Sequence, residues 1–450
     1  MVELSEHPTV QRLRERERES ATAASSTSTP LDSHWLRRLC LEAGADDAGF
    51  VSIDHSGVAD QRQDILTLFP GTQTLVSLVC RMNREPIRSL ARSVANVEFH
   101  RVTERIDDAA ARIVSVLEKR GIRALNPAAG FPMEMSRFPG GKIWVVSHKP
   151  VAVAAGLGRM GIHRNVIHPK FGSFILLGTV LLESRVTEYG APLDYNPCLE
   201  CKLCVAACPT GAISADGHFD FSACQTHNYR EFLGGFTDWV ETIAGSGNAR
   251  EYRQKVSGAE SASMWQSLSF GANYKAAYCL SVCPAGEDVI APFLADRPAF
   301  LRVVVKPLQQ KEETVYVVPG SDAEAYVRRR FPHKKTKPVS NGLRPESVAA
   351  FLGGLPLVFQ RGQSKGVSAT FHFTFTGQEE RKATVVIRDQ RLQITEGLSG
   401  ECDLHVTADS RTWVRLLARD MNPLWAVVRR KIRLKGSPRL LLAFRKCFPS

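Results

Sequence analysis

Cysteines at 198, 201, 204 and 208 stand in a single run, CLECKLCVAACP, with the spacing C-x2-C-x2-C-x3-C-P. Three thiolates two residues apart can wrap one iron–sulfur cube, while a fourth, set further off and turned by proline, points to a second cube. The sequence supplies partners downstream: Cys224, then Cys279 and Cys283-Pro284 in the segment AAYCLSVCP. On this logic Cys283 returns to complete the first cube with Cys198, Cys201 and Cys204. That leaves Cys208, Cys224 and Cys279 for the second. A complete second run needs a cysteine at 276, where the chain has Ala276. The second cluster then takes a fourth ligand from elsewhere, or is a three-iron cluster, or is absent. His227, three residues after Cys224, is the nearest candidate ligand.

Zinc and disulfide chemistry fit this pattern less well. A structural zinc site uses tetrahedral pairs separated by a loop, not four thiols in one run closed by proline. Disulfides need an exporting N-terminus, and MVELSEHPTVQRLRERERESATAASSTSTP has neither an apolar signal core nor a twin-arginine signal. The reading is therefore a cytoplasmic protein with metal-ready thiols. No stretch is long enough to span a bilayer; the longest uncharged apolar run, 173–182, reads as a buried strand.

These thiols need a scaffold, and 450 residues allow two to four domains. Residues 1–32 read as disordered. From Leu36 a helix leads into a strand at 48–54, a second strand at 74–80, a helix over 101–120 closed by Gly121, a strand at 143–147 and another at 173–182. Between the last two lies the turn AGLGRMG. Gly156, Gly158 and Gly161 suggest backbone approach to a bound group, yet no strand-turn-helix unit follows as a dinucleotide fold requires. A different large cofactor uses three glycines equally well. Residues 237–264 read as a loose or helical insertion, and 296–344 as a basic linker. Beyond it come strands at 368–377, 382–389, 391–397 and 402–409, a helix capped by Asp409 and Ser410, a helix from Asn422-Pro423, a strand at 431–436 and a last helix. Trp413 and Trp425 are expected in the core. The formal charge is +12, and residues 301–450 hold 27 Lys and Arg against 13 Asp and Glu. Such a field suits anionic lipid, nucleic acid or an acidic partner, or simply solvation.

The segments LRRLCLEAGADDAGFVSID, VEFHRVTERIDDAAARIVSVLEKRG, HKPVAVAAGLGRMGIHRNVI and FGSFILLGTVLLE, followed by the cysteine run and FDFSACQTHNY, resemble in order the epoxyqueuosine reductases and the related reductive dehalogenases. The resemblance covers about residues 33–290. It implies an α/β cobalamin-binding domain at 33–185 and a ferredoxin-like dicluster module at 186–295, with Cys224 joining the second cluster. It places Gly156, Gly158, Gly161 and His163 beside a cobalamin. The chain departs from the pattern at the reacting centre. Lys142 stands where the reductases keep an acidic proton donor, and Phe99-His100 replaces their Tyr-His pair. Lys142 and His100 are the catalytic candidates, with His148 and His163 in the same pocket; a lysine can still serve as a general acid when burial tunes it.

The C-terminal pattern, ending ECDLHVTADSRTWVRLLARDMNPLWAVVRRKIRLKGSPRLLLAFRKCF, resembles the sterol-carrier-protein type of lipid-binding domain over about residues 345–449. This implies an α+β fold over residues 345–450 around an apolar tunnel. The combined expectation is an iron–sulfur oxidoreductase that takes electrons from a ferredoxin or flavodoxin, passes them singly through two clusters to a corrinoid, and reduces an apolar or lipid-like substrate. The alternative is a non-enzymatic electron carrier serving a lipid- or steroid-modifying enzyme. Peripheral contact with an anionic membrane is compatible with the basic tail. Nucleic acid ranks last among the partners, since no basic–aromatic interleaving is present.

Overall fold

The computed structural model describes residues 4–20, 29–133, 144–418 and 420–449. Strands β1 (Asp47–Ser52), β2 (Thr74–Arg81), β3 (Ala124–Leu125) and β6 (Ile175–Leu182) form an antiparallel sheet in the order β1-β2-β6-β3. A short hairpin of β4 (Arg159–Met160) and β5 (Val166–Ile167) lies outside it. The near-continuous apolar character of β2 and β6 requires cover on both faces, and both receive it. Val76, Leu78 and Val180 face helices Ser33–Ala43 and Arg92–Lys119. Leu75, Val79 and Leu181 face Ala59–Leu68 and His148–Ala154. The long helix starts at Arg92 rather than 101, because Ala95, Phe99 and Val102 extend the buried stripe of Ile106, Ala110 and Ile113 at helical spacing. Gly121, at φ 73°, ends it in the left-handed turn that glycine permits.

Three expectations change. Residues 144–147 form no strand; their polar groups are held by side chains instead, with Ser147 N–H donating to Gln61 Oε1 (2.8 Å), and residue 143 lies outside the described residues. Pro8–Ser20, expected to be disordered, is helical. The stretch 296–344 is folded, not a linker. It contributes helix Asp322–Arg330 and the parallel pair β7 (Thr314–Val317) and β8 (Lys335–Pro338). Leu308, Val315, Val317 and Val327 share one core with Cys204, Cys208 and Tyr278. Its exposed charges had concealed that buried minority. The insertion is helical, as Gly234–Ala244, Ala249–Lys255 and Gly258–Phe270.

In the C-terminal part β9 (Ala369–Thr376), β10 (Arg381–Arg388), β11 (Arg391–Glu396), β12 (Leu404–Asp409) and β13 (Ile432–Gly436) form a sheet in the order β11-β10-β9-β12-β13. Only β9 and β12 pair in parallel. Asp389 and Gln390, both at positive φ, make the two-residue turn that suits a tight hairpin. Alternation on β9 sends Phe371, Phe373 and Phe375 inward, beneath helices Val348–Val358, Ser410–Leu417 and Pro438–Cys447. Trp413 packs against Phe351 (5.4 Å between ring centres) and Phe373 (5.9 Å), so aromatic rings fill this interface. Trp425 is not core: it is 43% exposed, with the Arg429 guanidinium over its ring. This unit docks on the cysteine-bearing one through Gln360, whose Nε2 donates to Asp220 Oδ2 (3.2 Å), and through the Arg361–Asp216 ion pair (2.5 Å). Among the described residues no helix is long and apolar enough to cross a membrane.

Candidate metal centre

The two cysteine segments repeat one backbone design. Lys202 (φ 60°) and Ala277 (φ 54°) each stand in the left-handed region immediately before a one-turn helix, Leu203–Ala207 and Tyr278–Ser281. Those helices carry Cys204 and Cys279, and each is followed by a Cys-Pro step, Cys208-Pro209 and Cys283-Pro284. Glu200 adds another left-handed residue (φ 50°) between Cys198 and Cys201. Non-glycine residues persist in that region only where the surrounding structure enforces it, and such strain collects at functional sites. In the shared design Ala276 occupies the place of Cys201. It is 3% exposed, and its N–H donates to Asn228 Oδ1 (3.0 Å).

All seven thiols are free, and each is buried or half-buried. Burial raises the Cys204 pKa, and the nearby thiols of Cys279, Cys283, Cys201 and Cys198 raise it further. Cys283 is pushed up to about 11 by burial, with Cys201 and Cys198 adding to the rise. Burial raises Cys224, helped by Cys279 and Cys208, and pushes Cys279 to about 12, helped by Cys208. The electrostatic neighbours thus divide into Cys198, Cys201, Cys204 and Cys283 on one side and Cys208, Cys224 and Cys279 on the other. The two groups meet at Cys279, whose electrostatic neighbours include both Cys204 and Cys283 of the first. Clustered thiols that resist ionisation alone are the donor set that iron satisfies, since metal binding removes their protons. Among the described residues no three His, Cys, Asp or Glu side chains are gathered closely enough to hold a metal ion by themselves. It is the inorganic core of a cluster that would span these thiols.

The other predicted site residues are dispersed. Lys142 lies outside the described residues. His100 Nε2–H donates to Ala272 O (2.8 Å), tying the long helix to the segment before Cys279. His148 is used on both nitrogens, by Thr179 Oγ1 (2.8 Å) and Ala128 O (3.1 Å), and burial lowers its pKa to about 4. Both contacts hold the scaffold together. His227 packs on Tyr316, 6.1 Å between ring centres, and accepts its N–H at Nδ1 (3.4 Å), while its Nε2 has no partner among the described residues. Its electrostatic neighbours are Glu313, Lys275, Lys334 and Lys311 rather than the thiols. The three glycines do not form an open cradle. A Cβ on Gly156 would meet Ala191 O at 2.5 Å, and one on Gly158 would meet Ile167 O at 2.5 Å. On Gly161 it would meet Ile167 Cδ1 at 2.7 Å. Their small size is used by the chain's own packing, so they supply no independent support for a bound corrinoid.

Sequence reading missed residues around the second thiol group. Lys149 lies in electrostatic reach of Cys279 and Cys224, and Asn165 Nδ2 points at Cys279 Sγ (3.9 Å). Half-buried Tyr229 neighbours the same two thiols and meets Tyr274 edge-on (5.3 Å between ring centres); Phe232 stacks on Tyr274 (4.5 Å) and Phe131 on Phe232 (4.9 Å). No spacing in the sequence connects these aromatic positions.

A model of the 4Fe-4S binding domain matches residues 191–214, and one of the SCP-2 sterol transfer family matches 360–449. An epoxyqueuosine reductase of Vibrio cholerae is 33% identical over 92 residues, 20% of this chain and 24% of that one. Another, of Staphylococcus aureus, is 39% identical over 80 residues, 18% and 20% of the two chains. The chain joins a reductase-like part to a sterol-carrier part. It spans 24%, 20% and 36% of the length of three of the curated relatives it matches. Among solved structures, an epoxyqueuosine reductase from Streptococcus thermophilus aligns over 60% of this chain and 83% of its own, at 15% identity and a TM-score of 0.35. A reductive dehalogenase aligns over 64% and 39%, at 14% identity and a TM-score of 0.38.

Proposed function

We propose that this chain is an iron–sulfur oxidoreductase with two clusters, taking single electrons from a ferredoxin or flavodoxin. The observation that carries the reading is the repeated loop design that bears six of the seven thiols, with Cys224 on helix Phe221–Asn228 as an electrostatic neighbour of Cys279 and Cys208. Cys198, Cys201, Cys204 and Cys283 would hold the first cluster; Cys208, Cys224 and Cys279 would hold the second. When bound, the clusters supply one-electron transfer at low potential. The chain's own work is to hold the thiolates at fixed spacing, keep water from the half-buried sulfurs, and set their electrostatic surroundings. A corrinoid as final acceptor follows from the resemblance alone. The glycine turn gives it no support, and no step is assigned to it.

The C-terminal unit makes an apolar or lipid-like molecule the proposed substrate, presented by the domain docked at Asp216 and Asp220. A second reading follows from the relatives' name: reduction of a modified nucleoside in RNA. One solved epoxyqueuosine reductase is described with a modified tRNA stem loop. The experiment is turnover by the reconstituted full chain, with chemically reduced ferredoxin, of an unsaturated sterol and of an epoxyqueuosine stem loop. Sterol reduction that is lost in Cys201→Ser supports the first reading. Stem-loop reduction alone, with binding that weakens steeply as salt rises, replaces it with the second. Full activity of Cys201→Ser refutes both.

A further inference from the structure

The charge of the C-terminal third leaves its partner open, and the exposed side chains of two helices narrow the choice. Pro423–Val428 packs against β13, and Pro438–Cys447 lies over β9, with Phe444 on Phe371 (5.0 Å between ring centres). Ala426, Phe444 and Cys447 belong to one buried core, so both helices lie on the same side of the sheet and turn their other faces outward. On the first, Trp425, Val428 and Arg429 follow at helical spacing. Trp425 is 43% and Val428 80% exposed, and the Arg429 guanidinium lies 4.5 Å from the centre of the Trp425 ring. On the second, Leu442 is 69% exposed and stands three or four residues from exposed Arg439, Arg445 and Lys446. No Asp or Glu occurs from Met421 to Ser450. Among the described residues none of these four cations forms an ion pair. Three large apolar side chains are thus exposed among cations that the chain itself does not neutralise.

We infer that this outer face seats the protein on an anionic lipid surface. Trp425, Val428 and Leu442 enter the boundary between headgroups and acyl chains, and Arg429, Arg439, Arg445 and Lys446 reach the phosphates. Apolar side chains bordered by cations are what holds a helix in that plane. Tryptophan favours the membrane–water boundary because its ring is apolar and its N–H polar. Long cationic side chains lay their stems on apolar surface while their heads reach outward, and each adds to the attraction of an anionic leaflet. Nucleic acid is the poorer fit. Base stacking needs a free ring face, and Arg429 already occupies one on Trp425; Val428 and Leu442 offer a nucleic acid no polar contact. Arg433 and Lys435 on β13 alternate to the other face of the sheet and take no part. The inference uses none of the cluster chemistry, so its failure leaves the iron–sulfur reading standing.

The test is co-sedimentation of the full chain with vesicles of phosphatidylcholine alone and of equal parts phosphatidylcholine and phosphatidylglycerol, at low and high salt. Binding is expected to the mixed vesicles only, and to weaken as salt rises. Arg439→Gln/Arg445→Gln/Lys446→Gln is expected to lower the partition coefficient about a hundredfold, at about fivefold per charge. Val428→Ser/Leu442→Ser keeps every charge and is expected to lower it about tenfold. All five side chains are exposed, so the urea unfolding midpoints of both variants are expected to match wild type, which separates lost binding from lost fold. If one variant is destabilised, the other decides alone. Equal binding to both kinds of vesicle, or binding to neither, overturns the inference. So does undiminished binding by either folded variant. Salt-sensitive capture of an RNA stem loop without vesicle binding would assign the face to nucleic acid instead.

Discussion

Lys334→Met is the substitution that tests how the fold holds the cysteine loops. The Lys334 side chain is 1% exposed, and its Nζ donates to Lys311 O (2.7 Å), Glu313 Oε1 (2.8 Å) and Leu308 O (3.3 Å). Glu313 also accepts from Tyr278 Oη (2.5 Å), and Tyr278 opens the helix that carries Cys279. This buried pair thus pins β7 to the second cysteine segment. Removing the cation leaves Glu313 with Lys311 (3.4 Å) as its remaining ion partner. Breaking a buried pair from one side costs about 3–5 kcal/mol. At a urea slope of about 2 kcal/mol per molar, that lowers the unfolding midpoint by roughly 2 M. The assay is urea unfolding of the full chain, followed by iron–sulfur absorbance. Lys334→Met/Glu313→Gln removes both charges and is expected to recover about 2 kcal/mol of the loss. The pH dependence has a definite sign. Burial alone would raise the Glu313 pKa, but Lys334, His227 and Tyr278 outweigh it, and the folded value lies below the ordinary 4.5. The pair's stabilisation is therefore complete above pH 4.5 and is lost as pH falls through the folded value, so the deficit of Lys334→Met narrows in acid. A midpoint shift under about 0.5 M, or no recovery in the double variant, refutes the reasoning.

Two further outcomes follow. His227 is pushed down to about 4 by burial, against an ordinary 6.5. Its stabilisation is present above pH 6.5 and falls with pH, by about 2 kcal/mol between pH 7 and 5; His148 and His163, also lowered to about 4, add falls of their own, so His227→Gln is expected to lessen the total fall by about 2 kcal/mol, measured by urea unfolding at each pH. Ala276→Cys places a thiol where the repeated loop design puts a ligand. It is expected to move the second cluster's potential downward and leave the first unchanged, and identical potentials in variant and wild type contradict that placement.

The cysteine run was legible because cluster ligation fixes both residue type and spacing, and the Ala276 departure stood out for the same reason. The C-terminal strands were legible through strict alternation, as in TFHFTFT on β9, and the docked pair of strands β7 and β8 was not. There the buried positions are only Val315, Val317 and a few neighbours among many charges, and charge dominates such a stretch when it is read residue by residue. His148 and His100 read as site candidates because type alone says nothing of partners; in the fold both are used on Thr179, Ala128 and Ala272. Gly156, Gly158 and Gly161 misled in the opposite sense. A glycine needed for self-packing and one needed for ligand approach look alike until the atoms above it are known. Lys149 and Asn165 carried no signal at all, since their approach to the second thiol group depends on how the fold turns the loop through Arg164.

The central claim is that seven cysteines hold two iron–sulfur clusters, and its most direct test is metal content. The full chain, purified without oxygen and reconstituted with iron, sulfide and cobalamin, is predicted to retain about seven or eight irons. Cys201→Ser and Cys224→Ser are each predicted to lose about half of that iron, from different clusters. Retained cobalt would extend the pathway to a corrinoid. About four irons in the wild type, all lost in Cys201→Ser and none in Cys224→Ser, would contradict the two-cluster account.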